Sequence, residues 1–348
     1  MKSKTYIAIP PGATIKEQLQ DRGMKQKEFA SRMDLSEKHI SRLINGEVCL
    51  TPDVANRLEL VLGIPANFWL NLEANYRSKI ALVQEENELE KDALIAEKFP
   101  YSEMANLGWV KVTKYVTDQV YELRKFFEIA KLDLLNKPNI SEVLYRRLSN
   151  NEKADYSLLA WVQKVRIESR EIEVKKINIK RIQKSINKIK EMTSYSLEEF
   201  KPKLQKLLNE YGIALVILPH MKGSFLQGVS FKDNEKIVIG MTLRGKDSDK
   251  FWFSFFHELG HVILGHLNST SASENEEKEA DYFAQNELIS SSSYRDFIEK
   301  DDFSSKSVVL FAQSQNIDAG IVVGRLQNDG YIPYTALNNL KTKFSFQE

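Results

Sequence analysis

Only one stretch of this 348-residue chain is written in short β-branched runs; everything around it carries helical spacing. IALVIL from Ile213, FLQGVSF from Phe225 and KIVIGMTL from Lys236 are separated by Pro219, Gly223 and Asp233-Asn234, a pattern that predicts three strands on tight connections. Three strands cannot cover so long a chain. The expected fold is therefore multidomain: an all-α N-terminal domain over residues 1–95, a helical middle over 96–205, and a C-terminal α+β domain over 206–348. Lys137-Pro138-Asn139 punctuates the middle, and breaks near Ser290, Ser304 and Asp318 divide the helices that follow the strands. KIVIGMTL is expected to be a sheet edge, free to pair with an extended peptide.

Composition narrows the class. With 42% hydrophobic and 28% charged residues the chain has enough apolar matter for real cores. A lone Cys49 excludes an internal disulfide framework and a cysteine-ligated zinc within one chain, and it suits a reducing cytosol. No apolar run approaches the ~18 residues of a membrane span, and MKSKTYIAIPPG lacks a signal-peptide core. The expectation is a cytoplasmic protein with no membrane partner. The net charge of +1 hides segmentation: Trp161 to Lys206 carries a net +7 and Glu274 to Asp302 a net −7.

The N-terminal 95 residues read as short helices broken by Gly23, Asp34, Asn45-Gly46 and Gly63-Ile64-Pro65. Gln26 to Gly46 has helix-turn-helix mechanics. Ala30 is small where two helices cross, Ile40 and Leu43 anchor the second helix, and Asp34 stands at the turn, where a left-handed residue is needed. Ser36 is placed to cap the second helix. Glu37, Lys38, Ser41 and Arg42 then face outward, and with Gln26 and Ser36 they are the candidate DNA contacts.

IPPGATIKEQLQDRGMKQKEFASRM, followed by TPDVANRLELVLGIPANFWLNLEANY, resembles the HigA-type antitoxins of the Cro/C1 repressor-like class. The resemblance covers about the first 80 residues. It implies a homodimer on a palindromic operator, usually in its own promoter, with Trp69, Leu70 and Tyr76 in core or dimer contacts.

The second constellation is His257-Glu258-Leu259-Gly260-His261, an H-E-x-x-H motif. Residues four apart share a helix face, so two imidazoles can meet one zinc ion while Glu258 stands beside the water as general base. Three protein ligands leave a fourth position on zinc for water. The third ligand is sought in EEKEADYFAQNELI. On 100° per residue Glu277 ranks first and Glu279 is its rival, while Asp281 can accept a proton from a ligand imidazole. Ala280 and Ala284 are small enough for close helix packing. His266, about 140° from His261, is read as surface or supporting; His39 and His220 are read as ordinary. Tyr331, Tyr334 and Arg325 are candidates to stabilise an oxyanion.

TLRGKDSDKFWFSFFHELGHVILGH with EKEADYFAQNELI, GVSF (Gly228 to Phe231) and GIVVGRLQ (Gly320 to Gln327) resemble the ImmA/IrrE zinc metallopeptidases. That likeness implies a zincin-like domain that cuts repressor-like transcription factors. Where the family commonly has a proline, this chain has Ser290-Ser291-Ser292-Ser293. The sequence thus supports a DNA-binding regulator carrying a zinc endopeptidase that cleaves a regulatory protein, a repressor or a cognate toxin. Two other readings stay open: an antitoxin or repressor whose metallopeptidase-like domain only binds a partner or senses a metal or signal, and an N-terminal domain that docks substrate.

Overall fold

The computed structural model describes residues 2–136, 152–224, 226–243, 247–268 and 273–344, in two compact units, Met1–Ile95 and Ala96–Glu348. Lys137-Pro138-Asn139 and the Arg244–Lys246 part of TLRGKDSDK lie outside the described residues.

The first unit is built from α1 (Pro11–Asp21), α2 (Gln26–Arg32), α3 (Glu37–Ile44), α4 (Pro52–Leu62) and the long α5 (Ala66–Ala96). Local chemistry sets most of the boundaries. The Ser36 and Thr51 side chains accept from the backbone N–H of His39 and Val54 and cap α3 and α4, and Pro52 occupies the first turn of α4. Gly63 ends α4 at φ +71°, where a side chain would be strained. Ile15, Phe29, Ile40, Leu58 and Trp69 form a fully buried core. Trp69 also donates through Nε1 to the Ile64 carbonyl at 3.1 Å. Gly12 accounts for the Pro-Pro-Gly start, because a Cβ there would overlap the Ile44 backbone where α1 crosses α3.

In the second unit α6 (Tyr101–Asn106), α7 (Val116–Phe127) and a 3-10 turn (Leu132–Asn136) precede α8 (Glu152–Arg170). Then come α9 (Ile179–Lys184), α10 (Ile186–Glu191) and α11 (Leu197–Asn209), the last started by a Ser196/Glu199 capping box. The sheet has β1 (Ile213–Leu218), β2 (Gly228–Asp233) and β3 (Lys236–Thr242) in the order β1-β3-β2. β1 runs parallel to β3 with Val216 opposite Gly240, and β2 runs antiparallel with Ser230 opposite Ile239. Every residue of β1 is buried, which explains a run of apolar residues without alternation. Trp161 and Val165 of α8 lie against Gly240, where a Cβ would come within 2.8 Å of Val165.

KIVIGMTL is not an edge. β3 is paired on both sides, because β1 and β2 occupy its two ladders and form the two edges of the sheet. Asn234, at φ +52°, makes the β2–β3 turn tight enough to bring the later strand to the centre.

After the sheet come α12 (Ser248–Leu264), α13 (Glu274–Leu288), α14 (Ser291–Ile298), α15 (Ser305–Ser314) and α16 (Ala319–Asn328). The breaks expected at Ser290, Ser304 and Asp318 are the N-caps of the last three. Ser290 accepts from the Ser293 N–H at 3.2 Å and Ser291 donates to Asn286, so the serine run is an ordinary helix start. No helix among the described residues is long and apolar enough to cross a membrane.

Candidate metal centre and nucleic-acid face

α12 is apolar on nearly every side, with Phe255, Phe256 and Leu259 fully buried. Its two histidines, one turn apart, share the face toward α13. Gly260 makes that approach possible: a Cβ there would lie 3.3 Å from the Ala280 Cα, and Ala280 and Ala284 are fully buried. The small residues bring the first turn of α13 over the histidines. Glu277 Oε2 lies 3.3 Å from His257 Nε2, and its Oε1 lies 3.5 Å from His261 Nε2. The two Nε2 atoms are 3.1 Å apart. One turn along α13, Asp281 Oδ1 sits 2.8 Å from His257 Nδ1. A carboxylate only accepts, so His257 carries a proton on Nδ1, and its neutral ring then turns an Nε2 lone pair toward His261 and Glu277.

The rival acid is engaged elsewhere. Glu279 Oε2 is 3.1 Å from His266 Nε2, and His266 Nδ1 is 3.0 Å from His261 Nδ1. Helical periodicity misplaces His266 because α12 has already ended: Gly265, at φ +84°, turns the chain, and the 3-10 turn His266–Asn268 folds the ring back behind His261. His266 is buried there.

Glu258 is 2% exposed, and Ser230 Oγ of β2 donates to its Oε2 at 2.7 Å. A Cβ at Gly228 would stand 2.8 Å from the Glu258 Cγ, so the opening of β2 must be glycine for this carboxylate to fit. Ser230 has no signature of its own in the sequence. GVSF carries only the family resemblance, and nothing local links a strand serine to a helix glutamate 28 residues away.

A cleft of about 540 Å³ begins one turn from these groups, lined among others by Gln227, Phe253, Gln285, Arg325, Tyr334 and Lys341. Phe253 precedes His257 by one turn and Gln285 follows Asp281 by one turn. Of the three oxyanion candidates, Arg325 and Tyr334 line this cleft. Arg325 is held by Asp329 at 2.6 Å and covers the Tyr294 ring. Tyr331 instead packs against Tyr294 and Phe303.

In the first unit α3 buries Ile40 and Leu43 and leaves Glu37, Lys38 and Arg42 exposed, with Ser41 half-buried. Gln26 is exposed at the first residue of α2, and Ser36 is exposed while its oxygen serves as the cap. Arg42 lies 3.5 Å from Glu47 in a solvent-exposed pair, too weak to withhold it from another anion. Asp34 takes φ +52° at the turn between the two helices, as that geometry requires.

Residues 15–69 match the helix-turn-helix family model, and residues 211–307 match the peptidase M78 model, described as an IrrE N-terminal-like domain. An uncharacterized HTH-type transcriptional regulator, YddM of Escherichia coli K12, is 38% identical over 63 residues, which are 18% of this chain and 67% of that protein. An addiction module antidote protein of a HigA family from Coxiella burnetii is 30% identical over 24% of this chain and 92% of its own, at a TM-score of 0.22. A putative antidote protein of a plasmid maintenance system from Nostoc punctiforme is 34% identical over 24% of this chain and 91% of its own, at a TM-score of 0.23. Through its N-terminal unit, this chain belongs to the helix-turn-helix family of transcriptional regulators, and it joins that unit to an IrrE N-terminal-like domain of the peptidase M78 kind.

Proposed function

We propose that the protein is a DNA-binding transcriptional regulator whose C-terminal domain is a zinc endopeptidase. The observation that carries the enzymatic half is the convergence of the His257 and His261 Nε2 atoms and the Glu277 carboxylate, whose ligand atoms all lie within 4.8 Å of one another. Two imidazoles and a carboxylate are the donor set of a catalytic zinc site. Zinc held there would supply Lewis acidity and bring the pKa of water down toward ~7. Glu258, held by Ser230, takes the proton of the attacking water and returns it to the leaving amine. Asp281 keeps the His257 ring in the tautomer that ligation needs. β3 is internal, and of the two edge strands β2 is the one beside Glu258, so an extended substrate can add there and the adjoining cleft can receive one of its side chains.

The substrate is a regulatory protein, with a repressor or a toxin made alongside this chain as first candidates. Glu258→Gln tests this: the variant should keep zinc and lose cleavage. If parent and variant alike leave every candidate partner intact while still repressing, the domain binds or senses rather than cuts.

The DNA half rests on α3. Lys38 and Arg42 contact phosphates or base edges, Gln26 and Ser36 hold the register, and Glu37 and Ser41 read bases. The operator is palindromic, in the chain's own promoter, and bound by a homodimer in the cytoplasm. Lys38→Ala with Arg42→Ala should weaken binding and flatten its salt dependence; unchanged affinity removes α3 as the reading helix.

A further inference from the structure

A zinc ligand that binds through Nε2 must carry its proton on Nδ1, and something must hold that proton. For His257 the holder is Asp281. For His261 the atom in place is His266 Nδ1, at 3.0 Å. That nitrogen can accept only if the His266 proton is on Nε2, and Glu279 Oε2 waits for that proton 3.1 Å away. The chain of donors has one consistent direction. Glu279 accepts from His266 Nε2–H, His266 Nδ1 accepts from His261 Nδ1–H, and the His261 Nε2 lone pair is left facing His257 and Glu277.

We propose that Glu279 and His266 form a positioning relay that sets the tautomer and ring orientation of His261 for zinc, so that each histidine ligand is oriented by its own carboxylate, one directly and one through a second imidazole. The inference rests on the zinc reading above and deepens it. It also gives the two rival acids of α13 separate tasks: Glu277 ligates, while Glu279, two residues on, works through His266. The relay explains why a 3-10 turn returns a buried imidazole to this place immediately after Gly265. Burial excludes the water that would otherwise serve as an indifferent acceptor.

The test is zinc affinity, measured on the full chain by competition with a chromogenic chelator, with circular dichroism to confirm folding. His266→Leu removes the acceptor and should weaken zinc about 10- to 100-fold. His266→Gln offers an amide oxygen to the His261 Nδ1–H and should recover most of that loss, which a merely space-filling role would not. Equal zinc affinity in folded His266→Leu and parent overturns the relay and leaves the zinc site standing; a parent that binds no zinc overturns both. Should His266→Leu fail to fold, ring 15N spectra of the zinc-loaded parent decide: His266 protonated on Nε2 and His261 on Nδ1 supports the relay, and His266 protonated on Nδ1 ends it.

Discussion

His257 Nε2 and His261 Nε2 face each other at 3.1 Å, with the Glu277 carboxylate closing the third side. With both imidazoles neutral and protonated on Nδ1, these groups aim three acceptors at one spot, an arrangement that a cation between them relieves. Zinc should therefore stabilise the second unit, by about 2.7 kcal/mol at a free concentration one hundred times its Kd. Melting curves with and without a chelator measure this, and Glu277→Gln should remove most of the zinc-dependent rise. A melting point indifferent to chelator would contradict the site.

Ser230 donates to the buried Glu258 carboxylate and has no part in holding metal. In Ser230→Ala the carboxylate loses this donor, and kcat should fall ten- to hundredfold, as misplacement of a reacting group commonly does. KM and bound zinc should stay as in the parent. Full activity in this variant would show that Glu258 is oriented by other contacts.

Gly228 leaves space that Glu258 and Met241 fill, and a Cβ would stand 2.8 Å from Glu258 Cγ and 3.0 Å from Met241 Sδ. Gly228→Ala forces one of them to move. The expected cost is about 1–3 kcal/mol, typical of overpacking, with cleavage impaired beyond what the loss of stability explains. Denaturant titration beside a cleavage assay separates the two effects.

Asp34 adopts φ +52° between α2 and α3, and its carboxylate is exposed. Asp34→Ala keeps a Cβ but loses the local polar compensation, so it should destabilise the first unit by about 1 kcal/mol. Asp34→Gly removes the steric conflict at the expense of a looser unfolded chain and should be near neutral. If alanine and glycine prove equal, backbone strain is not what this position answers to.

Glu287 of the acidic segment and Lys190 of the basic segment are both half-buried and feel each other's charge. Burial raises the Glu287 pKa and Lys190 partly offsets it; burial lowers the Lys190 pKa and Glu287 partly offsets that. A carboxyl whose folded pKa exceeds its unfolded one contributes stability below the ordinary carboxylate range and loses it as pH rises through the folded value. Glu287→Gln removes that loss. Relative to the parent, the variant should gain stability between about pH 4 and about pH 7, read by denaturant melts at both. A pH-independent difference would mean that Glu287 titrates as it does in the unfolded chain.

The features legible from the chain alone were local. The His257/His261 pairing follows from the helical period, and the caps at Ser36, Thr51, Ser290, Ser304 and Asp318 follow from side chains that bond N–H groups two or three residues away. The left-handed turn at Asp34 and the three strands were legible for the same reason. Tertiary structure decided everything that depends on partners far apart in the chain. It put β3 at the centre of the sheet, because a tight turn and a parallel ladder both claim it. It turned His266 inward after Gly265, where the helical period no longer holds. It gave Glu258 its serine from a strand 28 residues earlier, and it set Glu277 beside both His257 and His261 and Glu279 beside His266 by how closely Gly260 lets α13 approach α12. Helical spacing ranks the faces of one helix, but only the contact between two helices says which atom arrives.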